Sequence, residues 1–431
     1  MFSDFESAVK DDICSGCGAC AYLKPNNINI QKNKYGQLIP IIEKTLNNSD
    51  KNELNKVCPF SSNSLDREVL ESTSDLVGDY IQAYAGYVVE GNYRDNGSSG
   101  GFGTWILNEL ISTKVVDAVI HVRESVSGSS MIFEFSISTS LSELQSGASS
   151  KYYPVSLDEV LRTVKESNLS FAIIAVPCFV RAIRNLQKID EDFSRIKIIG
   201  SLYCGHLKTE NYSRYIADSI KYDHGELYGI KYRVKADNEL SSNYKTEIIT
   251  SEGKFSAFRQ SIRGTNWGLG LFKYKSCDFC EDISGELADF SLGDAWLPKY
   301  EKDDLGTNVI VVRHPLIHQL LKSAGKRLNI DHITEKELFQ TQAGGYRHKR
   351  EGIHVRNALL KLMGSKPVKS RYGSNERIKK SRISIYILRV IIRNYSKIYP
   401  YAKKHRLSFK VFDWGVSVFS RLHGLAIRLS R

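Results

Sequence analysis

The stretch FAIIAVPCFVRAIRNLQKIDEDFSRIKIIGSLYC, residues 171–204, decides the fold of this 431-residue chain. It opens with a short apolar run typical of a buried strand, continues with helical periodicity over residues 179–189, and ends in a second strand-like run. A strand, a crossover helix and another strand in this order favour a parallel or mixed α/β sheet.

Similar patterns extend the sheet to both sides of this stretch. Strands are predicted at residues 81–91, 115–123, 131–138 and 288–296, helices at 102–111 and 156–167, and a β-rich region at 225–256. A chain of this length exceeds the usual size of one hydrophobic core. We therefore predict an α+β and α/β multidomain protein: a cysteine-bearing domain at 1–62, a polar linker at 63–80, a mixed-sheet α/β domain at 81–345 and a basic helical region at 346–431.

Three cysteines, Cys14, Cys17 and Cys20, are spaced C-x2-C-x2-C near the start of the chain. The acidic N-terminal segment does not resemble a signal peptide, and no apolar run is long enough to span a membrane, so we expect a cytoplasmic protein. In that compartment we expect the eight cysteines to be metal ligands or catalytic groups. Bacterial ferredoxins continue this spacing with x3-C-P, and here Lys24 replaces that cysteine. The later Cys58, followed by proline, supplies a fourth ligand, which predicts one [4Fe-4S] cluster; zinc or unligated structural cysteines are the alternatives.

A second set of cysteines lies further along the chain. Cys178 and Cys204 follow two predicted strands, whose carboxyl ends meet at one edge of a parallel sheet. Cys277 and Cys280 add the C-x2-C spacing that metals favour. Four thiolates from three segments suit a second [4Fe-4S] cluster; the alternatives are a structural zinc, or separate roles with Cys178 as a catalytic thiol.

A glycine-rich loop, NGSSGG at residues 96–101, joins a predicted strand to a predicted helix. Amides at a helix N-terminus can bind phosphate, although such a loop is often only a turn. Lys151 could neutralise the same anion or be a solvated charge. His206 is a candidate proton donor or a structural histidine, and Asp294 a cofactor contact or part of a turn.

The succession of these motifs resembles the coenzyme F(420) hydrogenase/dehydrogenase beta-subunit family. The resemblance covers residues 12–297, about two thirds of the chain, and rests on the ordered segments C-x2-C-G-x-C, SSGGFGT, SKYY, AVPCFVRAIRNL, LYCGH and CDFCEDISGELADFSLGDAW. It implies a ferredoxin-like domain followed by a flavin-binding domain. Members pass electrons between iron-sulfur clusters, FAD and a substrate, which is the deazaflavin coenzyme or, in a related branch, a chlorophyll-type pigment.

The resemblance also assigns residues to cofactors. Ser98, Ser99, Gly100 and Gly101 match the FAD-phosphate loop, and Lys151 with Tyr152 matches another flavin-contacting segment. Because the pigment-reducing branch carries two clusters, it supports a second one at Cys178, Cys204, Cys277 and Cys280. Lys24 stands where many relatives have a cysteine, so we expect no third cluster.

The resemblance narrows the function without identifying a substrate. No motif marks a deazaflavin pocket, and relatives of this short bacterial type are found near polysaccharide-synthesis proteins such as pyruvyl transferases. We expect an iron-sulfur flavoprotein oxidoreductase that exchanges electrons with a protein such as a ferredoxin. The alternative is a non-catalytic electron-transfer or scaffold protein docked to a membrane-associated assembly.

The charge of the chain is concentrated in its tail. The net charge is +12, but residues 366–431 hold 17 lysines and arginines against two acids. Arg389, Arg393 and Lys397 are four apart and form one predicted helical stripe beside apolar positions. This pattern, together with the following segment at 405–431 with its Trp414, favours an anionic membrane surface at the inner face of the membrane, with an acidic partner or packing on the body as alternatives. Nucleic acid is not expected, because no recognisable binding module accompanies the charge.

Overall fold

The structure, a computed structural model, describes residues 4–65, 76–126, 129–371 and 378–430. Its strands are β1 Ile28–Lys32, β2 Leu38–Ile42, β3 Gln82–Val88, β4 Ala118–Glu124, β5 Phe133–Ser138, β6 Phe171–Ala175, β7 Ile196–Leu202, β8 Leu227–Val234, β9 Lys245–Thr250, β10 Gly253–Phe258, β11 Phe290–Asp294, β12 Asn308–Val312 and β13 Leu328–His332. Its helices are α1 Phe5–Lys10, α2 Ala19–Leu23, α3 Asn48–Val57, α4 Tyr93–Asn96, α5 Phe102–Ser112, α6 Leu141–Ser146, α7 Asp158–Glu166, α8 Pro177–Ile189, α9 Glu210–Ile220, α10 Pro298–Glu301, α11 Pro315–Ser323, α12 Glu335–Thr341, α13 Ala343–Arg350, α14 Gly352–Leu362, α15 Lys380–Tyr395, α16 Tyr399–Ala402 and α17 Arg406–Ser430.

The N-terminal part consists of α1, α2, the antiparallel hairpin β1–β2 and α3. Asn47 and Asp50 form a reciprocal capping box that fixes the start of α3. This part is joined to the larger domain by buried hydrogen bonds: the Asn185 side-chain Nδ2 donates to the Val57 carbonyl at 3.1 Å, and the Leu157 backbone amide donates to the Cys17 carbonyl at 3.0 Å. The segment that carries the first cysteines is therefore held against α7 and α8.

An eight-stranded mixed sheet forms the body, in the order β13-β3-β12-β11-β7-β6-β4-β5. The strands β4, β6, β7 and β11 are parallel to their neighbours within this central group, and the outer pairings are antiparallel. Successive residues of β6 alternate between two hydrophobic cores, one under α7 and α8 and the other under α5 and α11. The mixed α/β sheet predicted from the sequence is confirmed.

A smaller antiparallel sheet, β10-β9-β8, forms the predicted β-rich region. Its apolar side packs with α9 and with the C-terminal helices α15, α16 and α17 in one hydrophobic core. The C-terminal helices are thus part of the packed body. None of the helices within the described ranges is long and apolar enough to cross a membrane.

Local predictions differ from the structure at three places. The predicted loop at 94–101 begins with the short helix α4. Cys178, predicted to precede a helix, lies in the first turn of α8, because Pro177 occupies the helix start, where its missing amide costs no hydrogen bond. The predicted linker at 63–80 lies partly outside the described residues, and the predicted boundary after residue 345 falls inside α13.

The predicted basic stripe of α15 faces the protein. Arg389 and Arg393 are each only 8% exposed, and Lys397 forms an ion pair with Asp12 at 3.2 Å. The interpretation of this stripe as a membrane-facing surface is wrong, because guanidinium groups buried against the body cannot meet lipid headgroups. For α15 the alternative of packing on the body holds.

Candidate functional site

The first four cysteines surround one apolar cavity. Cys14, Cys17, Cys20 and Cys58 line this cavity, which is narrow, about 20 Å³ in volume, together with apolar side chains such as Phe60. The loop between the cysteines turns through Gly16, whose φ is +72° and whose added Cβ would lie 2.6 Å from the Leu38 carbonyl oxygen. The Gly16 amide donates to the Cys14 Sγ at 3.2 Å. This loop geometry requires glycine and brings an amide to a sulfur atom.

The chemistry of this donor set fits an iron-sulfur cluster. Burial raises the pKa of the Cys58 thiol to about 12 and holds that of Cys14 well above its ordinary value. Such thiols ionise only beside a strong positive charge, as when they bind a metal. Within the described ranges, no three Cys, His, Asp or Glu side chains are arranged to hold a single metal ion. Four thiolates are the donor set of [4Fe-4S] clusters and also of structural zinc sites.

The structure brings the second four cysteines together. Cys178 begins α8 and Cys204 follows β7, and because β6 and β7 are parallel neighbours, both lie at the same sheet edge. Cys280, Cys204 and Cys277 all act electrostatically on the Cys178 thiol. The Leu207 amide donates to the Cys277 Sγ at 3.2 Å. Burial holds the pKa of Cys178 well above its ordinary value, whereas an activated catalytic thiol needs a lowered one.

The two cysteine sets are neighbours. Cys17 acts electrostatically on Cys178, and both belong to one hydrophobic core with Phe60, Phe179 and Phe279. The first set is the more accessible: Cys14, Cys20 and Cys58 are half-buried, whereas three of the second four are buried. Clusters held at these positions would adjoin, with the first nearer to solvent.

A buried lysine that the sequence did not single out contacts the second set. The Lys349 ammonium, at the end of α13, lies 3.4 Å from the Cys280 Sγ and donates to the Asp282 carbonyl at 2.5 Å. Burial by itself lowers the pKa of the Lys349 ammonium. The neighbouring thiolates of Cys280, Cys204 and Cys277 have the larger effect and raise that pKa above its ordinary value. In the sequence, Lys349 belongs to an ordinary basic run, and nothing local distinguishes it.

Asp278 anchors the turn that carries Cys277 and Cys280. Its carboxylate is fully buried and forms ion pairs with Lys273 and Arg393, and its carbonyl accepts from the Arg356 Nε at 2.6 Å. Five buried basic side chains lie around this region: Lys208, Lys273, Arg356, Arg389 and Arg393. Burial and repulsion among these groups lower the pKa of Lys208, Lys273 and Arg389. A neighbouring cluster with four thiolate ligands carries net negative charge and would favour their charged forms.

The glycine-rich loop contacts the second predicted flavin segment. The Ser98 hydroxyl lies 2.7 Å from the Ser149 hydroxyl and accepts a hydrogen bond from the Ser150 amide at 2.8 Å. Gly101, with φ +87°, caps α5, and the first amide of the helix, that of Phe102, donates to the Asn308 Oδ1 at 3.4 Å. An added Cβ on Gly100 would lie 2.5 Å from the Gly86 carbonyl oxygen. The loop therefore needs its glycines, and the amides of the α5 N-terminus suit an anion.

Two lysines lie beside this loop in different ways. The Lys151 ammonium donates to the carbonyls of Gly147 at 2.6 Å and Ser149 at 3.0 Å and also to that of Ala148, and burial lowers its pKa to about 8. Lys235 contacts the loop itself, donating to the Ser99 carbonyl at 3.2 Å. Sequence reasoning missed Lys235, because it follows β8, far from the loop along the chain.

A series of aromatic rings connects the second cysteine set to Tyr152. His206, two residues after Cys204, stacks on Trp267 with ring centroids 4.5 Å apart and an interplanar angle of 18°. The Trp267 ring lies 4.8 Å from that of Tyr152. Burial holds the pKa of His206 well below its ordinary value, and neither ring nitrogen has a hydrogen-bond partner among the described residues. The observed contact of His206 is therefore ring stacking.

Asp294 lies at the end of strand β11, within the strand predicted at 288–296, and not in a turn. Its carboxylate binds the Arg233 guanidinium at 2.7 Å. Arg233 also lies over Tyr244 and Trp296, 5.0 Å and 5.6 Å from their ring centroids. The remaining amides of the α5 N-terminus and Lys235 are groups of the kind that bind phosphate, and Arg233 with its neighbouring aromatic rings is of the kind that binds a flavin ring.

The comparisons with known proteins assign the chain to a class of electron-transfer oxidoreductases. Two family models of the coenzyme F420 hydrogenase/dehydrogenase beta subunit match it, the N-terminal model at residues 83–162 and the C-terminal model at residues 169–336. Together the two matches span more than half of the chain. The chain belongs to this family.

Individual relatives are distant. The chain is 25% identical over 250 residues to coenzyme F420 hydrogenase subunit beta of Methanococcus voltae, covering 56% of this chain and 72% of the relative. The fold is similar to a chain of the F420-reducing [NiFe] hydrogenase complex from Methanosarcina barkeri, solved as a xenon derivative, with a TM-score of 0.51 and 13% identity over 70% of this chain and 99% of the other. At that identity the likeness concerns the fold alone.

The two family matches include one part of the candidate site and leave another part outside. The second cysteine set, the glycine-rich loop, Lys151 and Tyr152 lie within the matched residues. The first cysteine set precedes them, and Lys349, Arg356, Arg389 and Arg393 follow them. The buried cations of α13, α14 and α15 are therefore contributed by a part of the chain outside the two family matches.

Proposed function

We propose that this oxidoreductase is an iron-sulfur flavoprotein that passes electrons between two [4Fe-4S] clusters and FAD. The observation that carries the proposal is the continuity of the site. The first cysteine set adjoins the second, and the stacked rings of His206 and Trp267 connect the second set to Tyr152.

The residues that would hold the cofactors are those expected from the sequence. The first cluster would be held by Cys14, Cys17, Cys20 and Cys58, the second by Cys178, Cys204, Cys277 and Cys280, and FAD by Ser98, Ser99, Gly100, Gly101, Lys151 and Tyr152, to which we add Lys235. When bound, the clusters exchange single electrons and the flavin exchanges one or two.

The protein side chains have three tasks in this scheme. The apolar core around Phe60, Phe179 and Phe279 excludes water from both cysteine sets. The amides of Gly16 and Leu207 donate to sulfur atoms, and such hydrogen bonds tune cluster potentials. Lys349 places a positive charge beside Cys280.

We further propose that the first set is the electron port for a partner protein such as a ferredoxin. Its cysteines are more exposed than those of the second set, so it can approach a partner more closely.

We also propose a role in polysaccharide biosynthesis, supported only by the sequence resemblance to the short bacterial type. Deleting the gene and comparing cell-surface polysaccharide composition tests this role. An unchanged composition in the deletion strain would contradict it and leave the cofactor proposal intact.

A second candidate is a non-catalytic electron carrier without flavin. It is favoured by Lys151, whose ammonium is bound by the carbonyls of residues 147–149 and does not reach across to the glycine-rich loop. Four irons and no flavin in the purified protein would favour this carrier.

Cofactor analysis of the anaerobically purified full chain separates the two candidates. The enzyme proposal expects about eight irons, about eight acid-labile sulfides and one released FAD per chain, since each set of four thiolates binds one four-iron cluster. The Cys58→Ala variant should retain about four irons and the flavin. Zinc in place of iron would contradict both candidates.

A further inference from the structure

Helix α17 presents two opposite apolar faces. Over its 25 residues, Phe409, Phe412, Val416 and His423 are buried against the body. Tyr395 of α15 stacks on Phe412 with centroids 4.8 Å apart and nearly parallel planes, and donates to the Phe412 carbonyl at 3.0 Å. These contacts fix how α17 is rotated on the protein.

The outward face of α17 is also apolar. Its exposed large residues are between 47% and 75% accessible: Leu407, Val411, Trp414, Leu422, Leu425 and Leu429. Half-buried Val418 lies in the middle of this series, so that successive members are three or four residues apart and form one stripe along the helix. We call these seven residues the α17 ridge; at 3.6 residues per turn it lies opposite the buried face.

Positive charge borders the α17 ridge. Arg406, Lys410, Arg421 and Arg428 are exposed, and at 3.6 residues per turn all four lie along one edge of the ridge. Asp413, the acidic residue of α17, is engaged by Arg263 and by the Tyr215 hydroxyl at 2.8 Å. The outward side of the helix is therefore apolar along its centre and cationic along one edge.

We propose that the α17 ridge docks the protein on an anionic membrane surface. The ridge would enter the headgroup region with Trp414 near its centre, and the four cations would lie against lipid phosphates. Charge favours this occupant over a second copy of the chain, because the acidic residue of α17, Asp413, is already engaged by Arg263 and α17 of a second copy would offer the four cations no free acid. Of the two tail segments expected from the sequence to meet a membrane, the docking surface uses the second, and it does not depend on the cofactor proposal.

Vesicle flotation of the full-length protein tests the docking. We expect flotation with vesicles of equal parts phosphatidylglycerol and phosphatidylcholine, at least tenfold less with phosphatidylcholine alone, and a decrease at high salt. Truncating the tail is unsuitable as a test, since Phe412 and Tyr399 belong to the hydrophobic core. Point substitutions on the exposed face avoid this problem.

The matched variants are Trp414→Ser on the α17 ridge, Lys410→Glu on its edge and Leu240→Ser, an exposed leucine elsewhere on the surface. The first two should reduce flotation on anionic vesicles at least tenfold with an unchanged unfolding midpoint, and the third should float like the unsubstituted protein. Equal flotation of all variants, or no flotation at all, would overturn the proposal. A dimer in sedimentation equilibrium that Trp414→Ser dissociates would assign the ridge to a second copy and overturn it as well.

Discussion

Substituting asparagine for Asp278 removes the one carboxylate that pairs with both Lys273 and Arg393 at the base of the second cysteine set. The carboxylate is fully buried, and the Arg356 Nε lies 3.8 Å from its Oδ1. Asparagine has nearly the same shape, so the Asp278→Asn change chiefly deletes charge. The neighbouring cations then remain buried without their counter-ion.

The size of the effect follows from this geometry. A pair of unit charges 3.8 Å apart interacts by about 4 kcal/mol at an effective dielectric constant of about 20, and desolvation offsets part of this gain. Removing one member of a buried ion pair typically costs about 3–5 kcal/mol. We therefore expect the Asp278→Asn variant to lose about 3–5 kcal/mol of the free energy of unfolding, and its Cys277 and Cys280 site to bind iron less well.

Anaerobic urea unfolding followed by tryptophan fluorescence measures this loss, with iron analysis of the same samples. Glu159→Gln is the control, because Glu159 forms an exposed ion pair with Arg162 at 2.7 Å. Exposed pairs contribute little, so the control should change the unfolding free energy by less than about 0.5 kcal/mol. A change as small for Asp278→Asn, with full iron content, would refute the view that the cation cluster holds this turn.

Three further predictions concern other parts of the structure. Burial lowers the pKa of His121 to about 4, below the roughly 6.5 of an unfolded chain, so protons bind the unfolded state first as the pH falls. Stability should drop between pH 6.5 and 4, by about 3 kcal/mol at the acid end, and urea titrations of His121→Asn should show a flatter profile; equal slopes would contradict this assignment. Gly100→Val places atoms against the Gly86 carbonyl and should weaken FAD retention at least tenfold with the iron content unchanged. The control Gly344→Ala, whose added Cβ meets nothing within 4 Å, should leave FAD retention unchanged. Equal FAD retention by the two variants would argue against the loop as the phosphate site. Lys349→Met removes the ammonium beside Cys280 and should lower the reduction potential of the second cluster. Each tenfold change in the redox equilibrium of the cluster corresponds to roughly 59 mV. An unchanged midpoint potential in a redox titration would exclude this charge effect.

The elements that sequence patterns predicted well are those with local signals. The apolar runs of β6 and β7 and the periodicity of α8 are readable within residues 171–204, and the structure has all three. The position of β3 between β12 and β13 is set by pairings across more than 200 residues, which no local pattern contains. Likewise, the stripe on α15 was correct as a helical stripe, but only tertiary contacts decide that it faces inward.

The candidate site also contains residues that the sequence predicts and residues that it does not. The cysteine spacing and the predicted strand ends indicated which thiols could come together, because thiolates are typical ligands of metal clusters and the carboxyl ends of parallel strands meet at one sheet edge. The flavin residues depended on a family resemblance, since a serine- and glycine-rich loop is common by itself. Lys349 and Lys235 were missed, and Arg389 was assigned to a membrane-facing stripe, because a buried basic side chain and an exposed one look alike in sequence.

Electron paramagnetic resonance of the anaerobically reduced protein tests the central claim most directly, because two adjacent clusters alter each other's spectra. We predict a spectrum broadened by spin coupling between the two clusters, with Cys14→Ala and Cys204→Ala each giving one simple signal and about four fewer irons. Two independent signals that sum to the spectrum of the unsubstituted protein would contradict the adjacency of the cysteine sets. A protein without any iron-sulfur signal would contradict the account as a whole.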